Sequence, residues 1–458
     1  MIDYIKLSKG LDIPINGKAE TFLKKDVISE IIAVKPTDFK GIFPRLEVRE
    51  GDIVKAGSPI FHDKTRPEIK FTSPISGTVE KIIRGEKRKL LNIIIKDNGK
   101  KEYINYKLPK PAEVTKEQAL ETLLSSGLWA GIKQRPYGII PNPKETPKDI
   151  FISGFSTAPL GPDLDYSLRE DFENIQTAVN ILKLFTTGDI HLGLNAKTHA
   201  STPFHKLKGV EFHIFDGPHP IGNVGIQIHH ISPINKGDIV WTVDMHILAV
   251  IGKLFDKKHL DMTRIIAITG PCVDKPSYIR CTYGMHMAAI TDHIISDGEK
   301  MHKETDIRVI SGDILTGDNV GKDGYLGFFH NQITILSEGN YHELFGWGKI
   351  IRPKKFSFSH SYFSWINPKK KYNMDTNING GPRAFVMSKV YKDVLPMDIL
   401  PVYLFKAILA KDVDKMEQLG IYEVIEEDIA LCEYVCPSKI EIQNIISDGI
   451  DIMIKEML

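Results

Sequence analysis

A chain of 458 residues is longer than one hydrophobic core organises, so three or four domains are expected. Its 59 Lys and Arg against 58 Asp and Glu leave no global field to draw it onto nucleic acid, and 42% hydrophobic with 26% charged residues is the balance of a soluble globular protein. The start, Met1-Ile2-Asp3-Tyr4-Ile5-Lys6, interrupts its apolar positions with charge, and the cysteines number four, so we expect no signal peptide, reduced thiols and a cytoplasmic chain.

Gly10 to Gly17 is an apolar segment held extended by Pro14, with Leu11, Ile13 and Ile15 and little local sequence to cover them. It reads as an edge strand of the first domain or as an arm that docks on a partner. From Ile28 to Lys96, short β-branched runs alternate with glycine turns, Val48-x-x-Gly51-Asp52-x-Val54-x-x-Gly57 and then Ser73-Pro74-x-Ser76-Gly77. That frequency of turns predicts a small β sandwich, and its spacing resembles the biotinyl/lipoyl-carrier fold. Lys64 is the nearest candidate for a modified lysine, but Asp63-Lys64-Thr65-Arg66-Pro67 is a charged turn, so a structural sandwich is expected.

The capping box Thr115-x-x-Gln118 opens a helix over 115–126, which leads into Gly127-Leu128-Trp129 and Gln134-Arg135-Pro136-Tyr137. An α/β layer follows: a strand at 150–152, a long helix from Ser167 to Phe185 opened by Ser167-x-x-Glu170, strands at 210–215 and 239–243, and a helix ending near Phe255. This predicts a Rossmann-like domain. Its first strand runs into Ser153-Gly154-Phe155-Ser156 with no G-x-G-x-x-G, and Asp163 and Asp165 would repel a phosphate, so ordinary NAD binding is not expected. The longest stretch free of Asp, Glu, Lys and Arg, 217–235, carries three prolines, three glycines and three histidines, so it predicts a loop system and no membrane span. His219 and His229 lack the i, i+4 spacing of a dependable zinc pair; turn-lining and hydrogen-bonding roles are expected, with no metal.

Between Thr263 and Leu336, strands at 265–269, 278–282, 308–310 and 332–336 around a helix near Met287–Ile295 suggest a β-grasp, with Cys272 and Cys281 as packed thiols. Residues 349–382 form a loop-rich excursion, in which alternating Phe and Ser at 356–363 predict a strand and Lys369-Lys370-Lys371 beside aromatics could face phospholipid. The end is helical, at 397–410, 413–419 and 426–432, with a last helix capped by Ser438-x-x-Glu441. In that tail Cys432-x-x-x-Cys436-Pro437 is half of a [4Fe–4S] run, with Glu426 and Ile429 where two further cysteines would stand. The pair reads as a vestigial cluster motif.

This tail, together with Leu344-Phe345-Gly346-Trp347, Asn379-Gly380-Gly381-Pro382-Arg383-Ala384 and Leu395-Pro396-Met397-Asp398-Ile399-Leu400-Pro401, resembles the A subunit of the sodium-translocating NADH:quinone oxidoreductases. That family is itself similar to the C subunit of Rnf complexes and the NADH- and FMN-binding subunit of complex I. The resemblance implies a multidomain chain: an arm (1–27), a lipoyl-like β domain (28–110), a Rossmann-like domain (111–258), a soluble-ligand-binding β-grasp domain (259–345), a loop-rich insertion (346–385) and a helical domain (386–458). It implies a peripheral subunit on the cytoplasmic face of the bacterial inner membrane, docked on a membrane subunit through an arm at Leu11, Ile13, Pro14 and Ile15. NAD, FAD, FMN and [2Fe–2S] are then expected on other subunits and no cofactor on this one. In the FMN-binding relatives glycines occupy the place that Trp129, Gln134, Arg135 and Pro136 fill here. Trp129, Arg135, Pro136, Tyr137, His219 and His229 are the candidates for contact with a quinone or partner. Two other readings stay open, a soluble flavin-dependent oxidoreductase and an assembly scaffold without quinone contact.

Overall fold

The computed structural model describes residues 3–290, 306–339, 341, 352, 354–359 and 363–457. Two short strands open the chain, β1 (Asp3–Lys6) and β2 (Leu23–Asp26), and both join sheets formed far downstream. The glycine-punctuated region then folds as two facing antiparallel sheets from β3 (Ile31–Val34), β4 (Pro44–Leu46), β5 (Ile53–Val54), β6 (Pro59–Asp63), β7 (Lys70–Thr72), β8 (Gly77–Arg84) and β9 (Leu90–Asp97). One sheet has the order β3-β9-β8-β5 and the other β4-β6-β7. Alternating residues put Ile93 and Ile95 inside with Phe61 and Phe71, whose rings stack at 4.4 Å. At the hairpin tip Lys64 is exposed, while the Asp63 carboxylate accepts the backbone N–H groups of Phe43 and Thr65.

Helix α1 (Lys116–Ser126) begins at the expected box: Gln118 N–H donates to Thr115 Oγ1 at 3.3 Å, and Thr115 N–H to Gln118 Oε1 at 3.1 Å. Next come β10 (Ile132–Arg135), β11 (Ile150–Ser153), α2 (Leu164–Ser167), α3 (Phe172–Leu182), β12 (Ile190–Asn195), β13 (Glu211–Asp216), α4 (Val224–Ile231), β14 (Val240–Val243) and α5 (Met245–Lys257). Their six-stranded sheet has the order β1-β13-β12-β11-β14-β10 and is parallel except for β10. The central order, third, second, first and fourth of the domain's own parallel strands, is that of a doubly wound sheet. Helices α3 and α5 cross so closely that a Cβ on Gly252 would lie 1.7 Å from Asn174 O.

The third sheet joins β15 (Thr263–Thr269), β16 (Ser277–Thr282), β17 (Ile307–Ser311), β18 (Asp318–Asn319) and β19 (Gln332–Ser337) in the order β18-β17-β19-β15-β16-β2. Cys272 and Cys281 are buried free thiols in its core. The chain ends in α6 (Val390–Val394), α7 (Pro401–Leu409), α8 (Val413–Gln418), α9 (Glu426–Val435) and α10 (Ile442–Met457).

Several expectations need correction. The helix expected over 167–185 is two pieces: Asp163 caps α2, accepting Tyr166 N–H at 3.2 Å, and α3 starts only at Phe172, so Ser167 and Glu170 form no box. The supposed loop system at 217–235 contains α4, because past Pro220 the run Val224-Gly225-Ile226-Gln227-Ile228 has no breaker but one glycine and buries Ile226 and Ile228. Helix α7 starts at Pro401, a residue suited to a first helical position, rather than at Met397. Ser438 caps nothing; its hydroxyl donates to Ala384 O, and α10 starts at Ile442. Phe356 to Ser359 lie in turn and coil rather than a strand. Leu344 to Trp347 and the helix expected beyond Ile290 fall outside the described residues.

The arm packs largely on the chain itself. Ile13 and Ile15 are 8% and 3% exposed, packed in the same core as the C-terminal helices, and Leu11 rests on its margin. Pro14 O accepts Tyr372 N–H at 2.8 Å, Leu11 N–H donates to His219 O and Gly10 N–H to Asp393 O. With β1 parallel to β13 and β2 parallel to β16, the first 27 residues tie the α/β sheet, the helical bundle and the third sheet together.

Candidate functional site at the seam between sheet and helices

Arg135 is the last residue of β10, the antiparallel edge strand paired with β14. Beyond it Gln134 N–H bonds to Ile139 O and Gly138 N–H to Gln134 O, with Tyr137 at φ 83° and Gly138 at φ 68°, so the chain reverses tightly. That turn carries Arg135 out of the sheet and against α9. Its Nη1 lies 2.5 Å from Asp428 Oδ2 and its Nη2 2.7 Å from Glu427 Oε1, with the Arg135 and Asp428 side chains 1% and 0% exposed. Asp428 is the third residue of α9 and also accepts Ile425 N–H at 3.0 Å, closing the helix N-terminus. Burial works against the charge on Arg135, but the carboxylates of Asp428 and Glu427 outweigh it and hold the guanidinium above its ordinary range.

Helix α4 grips the same bundle. Asn223 Nδ2 donates to Glu427 O at 3.0 Å, and a Cβ on Gly225 would lie 2.3 Å from Asp428 Oδ1. Asp398 N–H donates to His229 Nε2 at 3.0 Å, which makes Nδ1 the protonated nitrogen, donating to Glu423 Oε2 at 2.6 Å. His230 Nε2 donates to Pro396 O at 2.7 Å, and burial pushes this imidazole below its ordinary value. Pro396 and Asp398 belong to the Leu395–Pro401 motif, whose backbone groups therefore meet α4. Ile226, Ile228 and Tyr137 complete the seam with Ile425, Ile429 and Cys432 in one core.

The candidate residues divide. Arg135, Pro136, Tyr137 and His229 meet at this seam, all packed inward; Tyr137 is 6% exposed and stands edge-on to Tyr422. Trp129 is 0% exposed in the sheet core, its Nε1 donating to Pro141 O and its ring at 85° to Trp241. His219 serves the arm: its N–H donates to Asp12 Oδ1 and its Nδ1 meets Thr157 Oγ1 at 3.1 Å, with burial pushing the imidazole down. Of the six candidates for quinone or partner contact, Trp129, Arg135, Pro136, Tyr137 and His219 are buried inside this chain and His229 is half-buried. Sequence reasoning missed Glu423, Asp428 and Gly225; the acidic start of α9, Glu426-Glu427-Asp428, was the available signal.

The residues present do not fit a four-iron cluster. Cys432 and Cys436 are buried among apolar side chains, with Tyr391 OH 3.1 Å from Cys436 Sγ, and burial, then Cys436, pushes the Cys432 thiol far above its ordinary range. A ligand must be thiolate. Glu426 points to Lys40, 2.5 Å away, and Ile429 is core. Nor do they fit a nucleotide in the usual place. Asp163 already fills the N-terminus of α2, and the crevice beyond the carboxyl ends of β11 and β14 is bridged by the third sheet, with Gln332 Nε2 on Pro159 O at 3.2 Å and Asn331 Nδ2 on Asp244 Oδ1 at 3.1 Å. Among the described residues no group of three or more His, Cys, Asp or Glu is placed to hold a metal.

Fold and seam define a multidomain α/β protein, and among the described residues no helix is long and apolar enough to cross a membrane. Residues 5–98 match the NqrA N-terminal barrel-sandwich hybrid domain, 114–260 the NqrA second alpha/beta domain and 265–322 the NQRA C-terminal domain. The NqrA subunit of the Na(+)-translocating NADH-quinone reductase of Neisseria meningitidis serogroup A is 35% identical over 455 residues, covering 99% of this chain and 100% of its own. Those of Pasteurella multocida and Vibrio alginolyticus are 34% and 32% identical, again over 99% of this chain and 100% of theirs. A solved NAD+-reducing [NiFe]-hydrogenase covers 76% of this chain and 62% of its own at 11% identity and a TM-score of 0.39, too low to bear on fold or function. The chain belongs to the NqrA family, which supplies one subunit of the Na+-translocating NADH-quinone reductases, an oxidoreductase complex.

Proposed function

We propose that this chain is a docking subunit of its complex: it carries no electron-transferring cofactor, sits on the cytoplasmic face of the membrane subunits and leaves NAD, FAD, FMN and [2Fe–2S] to its partners. The observation that carries this reading is the fate of Arg135 and Asp428. Arg135, in the stretch that the resemblance sets against the glycines of FMN-binding relatives, and Asp428, between the Glu426 and Ile429 of the halved cysteine run, here clamp the α/β sheet on the helical bundle. The full-length likeness to proteins named as the NqrA subunit supports membership of the complex.

A quinone needs a concave apolar slot, with ligand pockets typically about 300–1,000 Å³. Among the described residues an apolar cavity between Phe39, Phe71, Leu128, Tyr283 and Phe328 is about 20 Å³, room for one water, and a roomier one of about 380 Å³ is lined mainly by charged and polar side chains, Glu170, Lys253, Asp261 and Arg280 among them, rather than by an apolar slot. Together with the burial of Trp129 and Arg135, this favours docking without quinone contact over the quinone-access reading. The test is reconstitution: membrane subunits prepared without this chain should regain NADH:quinone reductase activity when it is added, while the isolated chain neither oxidises NADH nor binds quinone. Stoichiometric quinone binding by the isolated chain would contradict the reading.

A further inference from the structure

Residues 344–374 contain seven Lys and Arg and no Asp or Glu, in a chain whose formal charge is only +1. Within the described part of that run, Phe363 and the short turn Ser364–Ile366 project three large apolar side chains: Phe363, Trp365 and Ile366 are 43%, 54% and 68% exposed. Ile366 N–H bonds to Phe363 O at 3.1 Å, and the Phe363 and Trp365 rings stand 6.3 Å apart. Lys369, Lys370 and Lys371 follow immediately, Lys369 and Lys371 exposed and Lys370 over the Tyr372 ring at 5.3 Å. The base is fixed, because Tyr372 is 5% exposed and exchanges backbone hydrogen bonds with Pro14 and Asn16 of the arm.

We propose that the Phe363–Lys371 turn is a lipid-contact finger that rests on an anionic phospholipid surface. Trp favours the headgroup level of a bilayer, where the indole buries its face while its N–H stays near water, and Phe363 and Ile366 beside it supply apolar surface for the acyl boundary. Lysines beside them meet the negative surface potential, and their attraction is lost within a Debye length when salt is raised. An acidic protein surface would satisfy the lysines but leave Trp365 and Ile366 without an apolar partner at the tip; lipid satisfies both. The inference deepens the docking reading and rests on it for the orientation of the chain, but lipid binding is measurable on the isolated chain.

The experiment is flotation of the full chain with vesicles of phosphatidylcholine alone and of phosphatidylcholine mixed with phosphatidylglycerol. Binding is expected only to the anionic vesicles, to fall with added sodium chloride, and to survive inorganic phosphate at equal ionic strength. The paired variant Lys369→Gln, Lys371→Gln should weaken it by about fivefold per lysine, and Trp365→Ser with Ile366→Ser should abolish it; both variants change exposed side chains, so their circular dichroism and melting should match the parent. Absence of binding to anionic vesicles, or binding indifferent to both variants, overturns the proposal. So does a Trp365→Ser, Ile366→Ser chain that still floats but no longer joins the membrane subunits, which would make the turn a protein contact. Failure of reconstitution with lipid binding intact would instead count against the docking reading alone.

Discussion

Arg135 Nη1 and Asp428 Oδ2 meet at 2.5 Å across nearly 300 residues of sequence, with both side chains sealed from water. Removing Arg135 leaves the buried Asp428 without its cation, at about 3–5 kcal/mol, whereas removing Asp428 costs less because Arg135 keeps Glu427 at 2.7 Å. Arg135→Ala and Asp428→Ala should each lower the unfolding midpoint by several degrees and loosen the helical bundle first, whereas Arg135→Met with Asp428→Leu should recover most of the loss. A thermal melt of the four chains decides it; a neutral single variant would show that the pair contributes nothing.

Gly225→Ala tests the packing behind that pair. In an open helix Ala is favoured over Gly by about 1 kcal/mol. Here the added Cβ would stand 2.3 Å from Asp428 Oδ1, so α4 must retreat from α9. The expected sign is therefore destabilisation, about 1–3 kcal/mol, read from the melting temperature.

Burying Ile13 and Ile15 is worth about 2–3 kcal/mol each. Ile13→Ala, and more strongly Ile15→Ala at 3% exposure, should destabilise the chain by about 2–5 kcal/mol and expose the arm to limited proteolysis. An arm kept for a partner would instead give variants that melt like the parent and fail only in assembly.

His330 is held near pKa 3 by burial, with Lys35, Lys133 and Arg264 adding to the effect, against an ordinary 6.5. Between those values the unfolded chain binds the extra proton, so stability rises with pH across the window. The contribution is complete above about pH 6.5 and is lost as pH falls toward about 3. His330→Gln should flatten this part of the stability-against-pH curve, measured by urea unfolding at a series of pH values.

Thiol labelling checks the cysteine pair. Cys432 and Cys436 should resist maleimide at about pH 8 in the folded chain and react once urea opens the bundle, because both thiols are buried out of reach of the reagent. Fast labelling of the native chain would place them at an accessible site.

Local signals carried well into the fold. The Thr115–Gln118 box opens α1 as read, and turn-forming glycines around Val48–Gly57 and Ser76–Gly77 mark the two small sheets. What escaped depends on distant partners. Asp3–Lys6 is a charged, mostly exposed quartet whose strand exists only because β13 offers its edge. Pro218 and Pro220 disguised α4, and Ser167 closes α2 rather than opening α3, whose N-cap position is Asp171. Arg135 looks in sequence like a surface cation, and only Glu427 and Asp428, brought from the far end, make its burial tolerable.

The most direct test of the account is the absorption spectrum of the chain purified without oxygen, with iron and flavin assayed on the same sample. A colourless protein free of both is the predicted result. Stoichiometric flavin or iron–sulfur absorption would contradict it and make this chain an electron carrier.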